Sequence, residues 1–239
     1  MYETLSFEES GDVARITLIR NRINVKQIRE LERVFDHLED VSKAKVVVLR
    51  GHSGGIDFHD FDPKEAMDIH GFNKWEKLVN RFETLDKVTV ALVDGPCVGG
   101  GFQLTLVCDQ RICVPGATFQ LNEVRQGFLP GMATFRLAKY VGLGHAKRLV
   151  MTGAVVGAEE AKRLGLVDDV TADLDGALAR TIESFGPMHT VAFTLARRLL
   201  NESYGTQIED ALGNFLAAQH RAISQTAFLD TLKAEHKKQ

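Results

Sequence analysis

Residues 97–111 read CVGGGFQLTLVCDQR, three glycines running straight into an apolar, helix-like stretch. No other feature of the chain limits its fold more. Glycine stands where backbone must come close to something or where φ must be positive. Three in a row ahead of a helix expose N–H groups at the positive end of the helix dipole. Such a start can cradle a phosphate. Here no Lys-Ser/Thr pair follows, as a phosphate-binding loop needs, and the spacing is not G-x-G-x-x-G with a ribose-binding acid. Two uses remain. One is an oxyanion hole, an N–H aimed at a carbonyl oxygen that becomes negative. The other is close packing of the helix on a strand.

The surrounding pattern says what kind of core carries this helix. DVARITLI (12–19) reads as a strand after a turn at Ser10–Gly11. NVKQIRELERVFDHLED (24–40) reads as a helix with Ile28, Leu31, Val34, Phe35 and Leu38 on one face. KAKVVVLRG (43–51) and KVTVALVDG (87–95) are short apolar runs ending in glycine, as buried parallel strands do. Between them lie an aperiodic loop (51–66) and a helix (69–85). QRICVP (110–115) and ATFQLNE (117–123) read as strands, and from Pro130 onward the chain reads as almost wholly helical. Strands alternating with helices predict an α/β core with parallel strands. A helical last part, from about residue 186, is expected to pack outside that core.

Composition narrows the function. With 239 residues the chain can bury a substantial core, and 44% hydrophobic with 26% charged residues is globular usage. A net charge of −3 with scattered Lys and Arg supplies no field for a nucleic acid. No apolar run approaches the roughly 20 residues of a membrane span. The opening MYETLSFEESGDV is acidic and lacks a signal-peptide core, so the expected location is the cytoplasm. Cys97, Cys108 and Cys113 have no metal-ligand spacing and are expected to be buried free thiols, with no metal bound.

The order of these pieces carries a resemblance. DGPCVGGGFQL, CDQRICV and FQLNEVRQGFLPG match NGxxxGGGxEL, CDxRIA and FxxPExxxGxxPG at the same spacings, and LVMTGAVVGAEEAKRLGLVDDV (149–170) matches the segment that follows. The chain resembles the crotonase superfamily, the enoyl-CoA hydratase/isomerase family, over essentially its whole length. The resemblance implies an α/β fold, a crotonase-like spiral of ββα units with a helical C-terminal region. It divides the chain into a core at 1–185 and a helical region at 186–239 that trimerises and covers the active site. It also implies a homotrimer or hexamer. The implied substrate is an acyl thioester of coenzyme A, or of the same phosphopantetheine arm on an acyl-carrier protein. No separate cofactor is implied, since the coenzyme is part of the substrate. Two backbone N–H groups of such a protein hold the thioester oxygen while an enolate forms. By motif position one belongs to Gly100. The other belongs to His59, in DFHDF (57–61), which stands where the family writes AGADL.

Hydratases of the family use two glutamates. Glu123 stands at the second position, in LNEVRQG, and Gln103 stands at the first. A neutral amide hydrogen-bonds but takes no proton from water, so a single carboxylate is left to work at the α-carbon. That pattern is similar to the family's single-glutamate enoyl-CoA isomerases, and double-bond isomerisation is the first expectation. GFQLTLVCDQR also looks like carboxymethylproline synthases, and GFLPGM like the decarboxylases of polyketide β-branching. Decarboxylation of a malonyl- or glutaconyl-type thioester, with or without C–C bond formation, is therefore the alternative, and plain hydration is another. His220, in AAQHRAIS, stands where both decarboxylating groups carry a histidine; it either steers a carboxylate or is a helix-surface residue. Arg22 and Lys26 fall in the segment that would meet the 3′-phosphoadenosine, or are solvated charges. Asp60 is the loop acid after the second oxyanion donor and belongs with this coenzyme-facing set or with the loop's own structure. Trp75 reads as core. A reading of another class is a catalytically idle scaffold that binds acyl-CoA.

Overall fold

The computed structural model describes residues 2–19, 22–51, 69–186 and 190–236. They form two compact units, Met1–Ser184 and Phe185–Gln239.

The first unit opens with a hairpin, β1 (Leu5–Ser10) and β2 (Val13–Leu18), paired antiparallel across the turn at Gly11. Helix α1 (Val25–Asp40) begins where the Asn24 side chain accepts the Gln27 N–H at 2.8 Å, satisfying one of the amides that a helix start leaves without a partner. It buries the face expected of it, Ile28, Leu31, Val34, Phe35 and Leu38. Strand β3 (Val46–Arg50) pairs parallel with β2. After α2 (Ile69–Thr84), β4 (Val88–Val93) pairs parallel with β3. Phe35 of α1 stacks on Phe82 of α2 with ring centroids 5.1 Å apart. Strands β6 (Gln110–Cys113) and β9 (Asp169–Val170) complete a sheet in the order β1-β2-β3-β4-β6-β9, parallel from β2 onward.

A second, three-stranded sheet positions the site. Its order is β5 (Pro96–Val98), β7 (Thr118–Gln120), β8 (Val156–Gly157). Strands β5 and β7 run parallel with Val98 opposite Gln120. Both chains therefore leave the sheet at the same end. From β5 the glycine run starts α3 (Gly99–Leu106), and from β7 the chain enters a 3₁₀ turn at Glu123–Gln126. Helix α4 (Ala133–Thr152) follows, then α5 (Ala158–Arg163) and α6 (Leu174–Ser184). The second unit holds α7 (Val191–Glu202), α8 (Ile208–Ile223) and α9 (Thr226–His236).

Four strands escape the sequence pattern. β1, an edge strand, offers only Leu5 and the half-buried Phe7 before it turns polar at Glu8–Ser10, too short an alternation to stand out. β5 is three residues long and runs straight into the glycines. β8 and β9 are two residues each, too short for any period, and they interrupt the stretch expected to be almost wholly helical after Pro130. The strand expected at 117–123 ends at Gln120, because the chain must turn to present Glu123. The three cysteines are buried and free, and burial pushes the Cys97 thiol up to about 12.

Candidate active site

Gly99 opens α3 with φ of +55°, a conformation in which a Cβ is strained. The whole helix is buried, and its first amides, Gly100 among them, have no acceptor within the helix. Gln103 lies one turn further in and is only 3% exposed. Its side chain is oriented by Trp75, whose Nε1–H donates to Oε1 at 3.3 Å. An indole nitrogen can only donate, so the amide oxygen must face it. Trp75 is core, as expected, and also fixes the amide that replaces the expected acid.

Glu123 begins the 3₁₀ turn and is 4% exposed. Its carbonyl accepts the Phe128 N–H at 3.2 Å, which closes the loop under it. Its Oε2 is buried and has no hydrogen-bond partner among the described residues. Burial pushes the carboxyl above the ordinary glutamate range, and backbone hydrogen bonds at Glu123 and Asn122 partly offset the shift. A buried carboxylate oxygen without a partner is costly unless something else uses it.

Gln103 and Glu123 line one cavity of about 150 Å³, together with Arg22, Trp75, Glu76 and Asn122. Phe72, Val98, Phe128 and Leu129 make its apolar part. An engineered protein cavity of about that size holds benzene, so there is room here for a small acyl group.

Glu76 was not marked by the sequence. It sits beside Trp75 on α2, at no motif position, and only the fold brings it here. Its Oε1 accepts the Met132 N–H at 3.0 Å, and its Oε2 lies 3.5 Å from Arg136 Nη1. Arg136 is 4% exposed and donates from Nε to Glu83 at 2.8 Å. Burial raises the Glu76 carboxyl above its ordinary range, while Met132 N–H and Arg136 pull it down.

Gly131 explains the glycine in LPGM. Its φ is +47°, and a Cβ there would stand 1.9 Å from Glu76 Oε1 and 3.0 Å from Gln103 Oε1. Both oxygens face the same small space. Gly131→Ala is expected to lower stability by about 1–2 kcal/mol for the left-handed backbone. Pushing Glu76 off Met132 adds about 1 kcal/mol. Urea unfolding midpoints measure the loss.

The motif CDQR is structural. Asp109 Oδ2 accepts from Thr89 N–H at 2.8 Å and fixes the start of β4 beside β6. Arg111 is buried, donates to Cys108 O at 2.6 Å and pairs with Asp168 at 3.3 Å. Arg22 reaches the cavity, whereas Lys26, on α1, pairs with Glu3. His220 is exposed on α8 of the second unit. His59 and Asp60 lie outside the described residues. No metal-binding group of His, Cys, Asp and Glu occurs among the described residues, and none of their helices is long and apolar enough to cross a membrane.

The chain matches the family model of enoyl-CoA hydratase/isomerase over residues 8–238. It is 32% identical over 200 residues to an enoyl-CoA hydratase of Amycolatopsis orientalis, covering 84% of this chain and 90% of that one. It is 30% identical to a short-chain enoyl-CoA hydratase of Clostridium acetobutylicum over 95% of both chains. The crystal structure of an enoyl-CoA hydratase/isomerase from Cupriavidus metallidurans superimposes with a TM-score of 0.88 at 28% identity, over 100% of this chain and 95% of that one. The chain belongs to the enoyl-CoA hydratase/isomerase family, within the crotonase superfamily, and has its fold.

Proposed function

We propose that this family member isomerises a short 3-enoyl-CoA to the 2-enoyl thioester, with Glu123 as the base at the α-carbon. One observation carries the reading: the unpartnered Oε2 of Glu123 sits in a cavity beside an amide, Gln103, and not beside a second motif glutamate. Glu123 takes a proton from the α-carbon. The C–H electron pair becomes the double bond between the carbonyl carbon and the α-carbon of a dienolate, the β,γ-double bond is kept, and the negative oxygen rests on the Gly100 N–H, with the His59 N–H as its second donor. A proton then returns two carbons along the chain, and the double bond is left conjugated with the thioester. Removing one such oxyanion donor typically costs on the order of 10²–10³ in kcat. Arg22 holds the coenzyme end, and a coenzyme A thioester is preferred over a carrier-protein one on the family's usage.

Hydration is the second reading, because the two relatives named above are hydratases. In it Gln103 positions a water that Glu123 activates. Purified protein offered 3-butenoyl-, crotonyl- and malonyl-CoA separates the reactions. Isomerisation keeps mass and shifts the chromatographic peak, hydration adds water, and decarboxylation loses carbon dioxide. Absence of any turnover with all three would leave the idle acyl-CoA-binding scaffold and sink the proposal.

We further propose that the enzyme is cytoplasmic and a homotrimer or a hexamer, a dimer of trimers. On α8 the apolar residues Ile208, Leu212, Phe215 and Leu216 recur at helical spacing and are exposed. Leu212→Glu is expected to reduce the particle to a monomer in analytical ultracentrifugation. A wild-type protein that sediments as a monomer would remove this assignment.

A further inference from the structure

We propose that Glu76 is a second acid of this site, the group that delivers the proton to the γ-carbon after Glu123 has taken one from the α-carbon. The inference rests on the reading of the cavity as the acyl site, and four observations point to it.

First, Glu76 and Glu123 line the same cavity from different elements, α2 and the 3₁₀ turn after β7. Isomerisation needs a proton handled at two carbons that are not neighbours. Two carboxyls on two walls suit that need better than one fixed side chain. Second, Glu76 is held. Met132 N–H, at the start of α4, binds Oε1, and Arg136 stands 3.5 Å from Oε2. Third, Gly131 leaves the space above Glu76 Oε1 and Gln103 Oε1 open, where any side chain would close it. Fourth, Arg136 gives its close contacts, 2.8 Å from Nε and from Nη2, to Glu83, and meets Glu76 Oε2 only in a longer ion pair of 3.5 Å, so that this oxygen has no close hydrogen bond among the described residues. Burial of Glu76 favours the protonated form that a donor needs.

The proton balance closes. The α-carbon loses a proton to Glu123, and the electron pair enters the dienolate. The γ-carbon takes a proton from the Glu76 carboxyl, which becomes a carboxylate. The product leaves with its double bond moved. Glu123 then gives its proton to water and Glu76 takes one from water, which restores the starting state.

The test uses the full chain and two readouts. One is turnover of 3-butenoyl-CoA to crotonyl-CoA. The other is exchange of the α-protons of butyryl-CoA in D₂O, which has no γ-carbon step. Glu76→Gln keeps an acceptor for Met132 N–H and removes the proton. It is expected to lower turnover by about 10²–10⁴-fold. Exchange should fall by much less, about tenfold at most. Glu76→Asp, which keeps the acid on a shorter stem, should recover part of the turnover. It also serves if the glutamine variant fails to fold. Turnover of Glu76→Gln within a few-fold of the wild type would overturn the proposal. Equal loss of turnover and exchange would overturn it too, because Glu76 would then act only through the shape of the cavity. A wild type with neither exchange nor turnover would instead overturn the acyl-site reading, and this proposal with it.

Discussion

Replacing Glu123 by glutamine is expected to bring α-proton exchange of a bound acyl-CoA down to background. Glutamine keeps the shape of the side chain and cannot accept a proton. General-base catalysis of this kind contributes about 10²–10⁴-fold, so the signal of the α-protons of butyryl-CoA in D₂O should persist in the variant over times in which the wild type erases it. Exchange at the wild-type rate would move the base elsewhere, and Glu76 would be the next group to replace. The same substitution has a signature in stability. The folded-state pKa of Glu123 lies above its ordinary value because it is buried. The native protein therefore keeps this proton over a range of pH in which the unfolded chain has released it. As pH rises through the folded pKa, the native state must ionise a buried carboxyl, and stability is lost. Glutamine has no such loss. The variant should match the wild type near pH 4 and melt higher above neutral pH, and thermal scans across that range follow the difference.

The parts of this site that the sequence discloses are those fixed by local chemistry. Gly99 needs its positive φ whatever surrounds it, and the unpaired amides follow from any helix start. The distance in sequence from the glycine run to Glu123 is also informative, because the parallel register of Val98 with Gln120 turns it into a distance in space. Likewise the buried face of α1 follows from its period alone.

What was not legible depends on tertiary contacts between segments that carry no shared pattern. Glu76 lies on a helix whose sequence, IHGFNKWEKLVNRFET, reads only as a helix, with nothing to single out the glutamate. Only the approach of the 130–132 turn to α2, with Met132 N–H on Glu76, brings it to Gln103. The same is true of Trp75, which is core by burial and a hydrogen-bond donor by position. The role of Arg111 in CDQR was hidden for a related reason. Its partners Asp168 and Tyr140 come from other parts of the chain, the second with its ring centroid 4.6 Å from the guanidinium.

Gln103→Glu is expected to raise hydration of crotonyl-CoA. The substitution restores the pair of acids that hydratases of the family use, and the local structure accepts it. Trp75 Nε1–H can donate to a carboxylate as well as to the amide, and a charge-assisted bond is stronger. The helix dipole helps less than a first-turn position would suggest. Gln103 is the fifth residue of α3, and the field falls off within the first turn. Against the new charge stand Glu76 and Glu123 in the same cavity. Glu76 matters most, since its Oε1 faces the same space as the side-chain oxygen at 103. Two carboxyls so placed cannot both ionise easily, and one keeps its proton to higher pH. The gain should therefore depend on pH. Hydration in Gln103→Glu is expected to rise by up to about 10²–10⁴-fold, and to need a higher pH than a carboxylate in water would. In the double variant Gln103→Glu/Glu76→Gln the neighbour no longer ionises. The pKa of the new acid then falls, so the rise in rate should begin at lower pH. The measurement is loss of the crotonyl-CoA absorbance for all three proteins across pH. If the wild type already hydrates crotonyl-CoA as fast as Gln103→Glu, the amide does not exclude water chemistry. Hydration then replaces isomerisation as the reaction of this site. A pH limb that stays put in the double variant would show that Glu76 and position 103 do not share a proton.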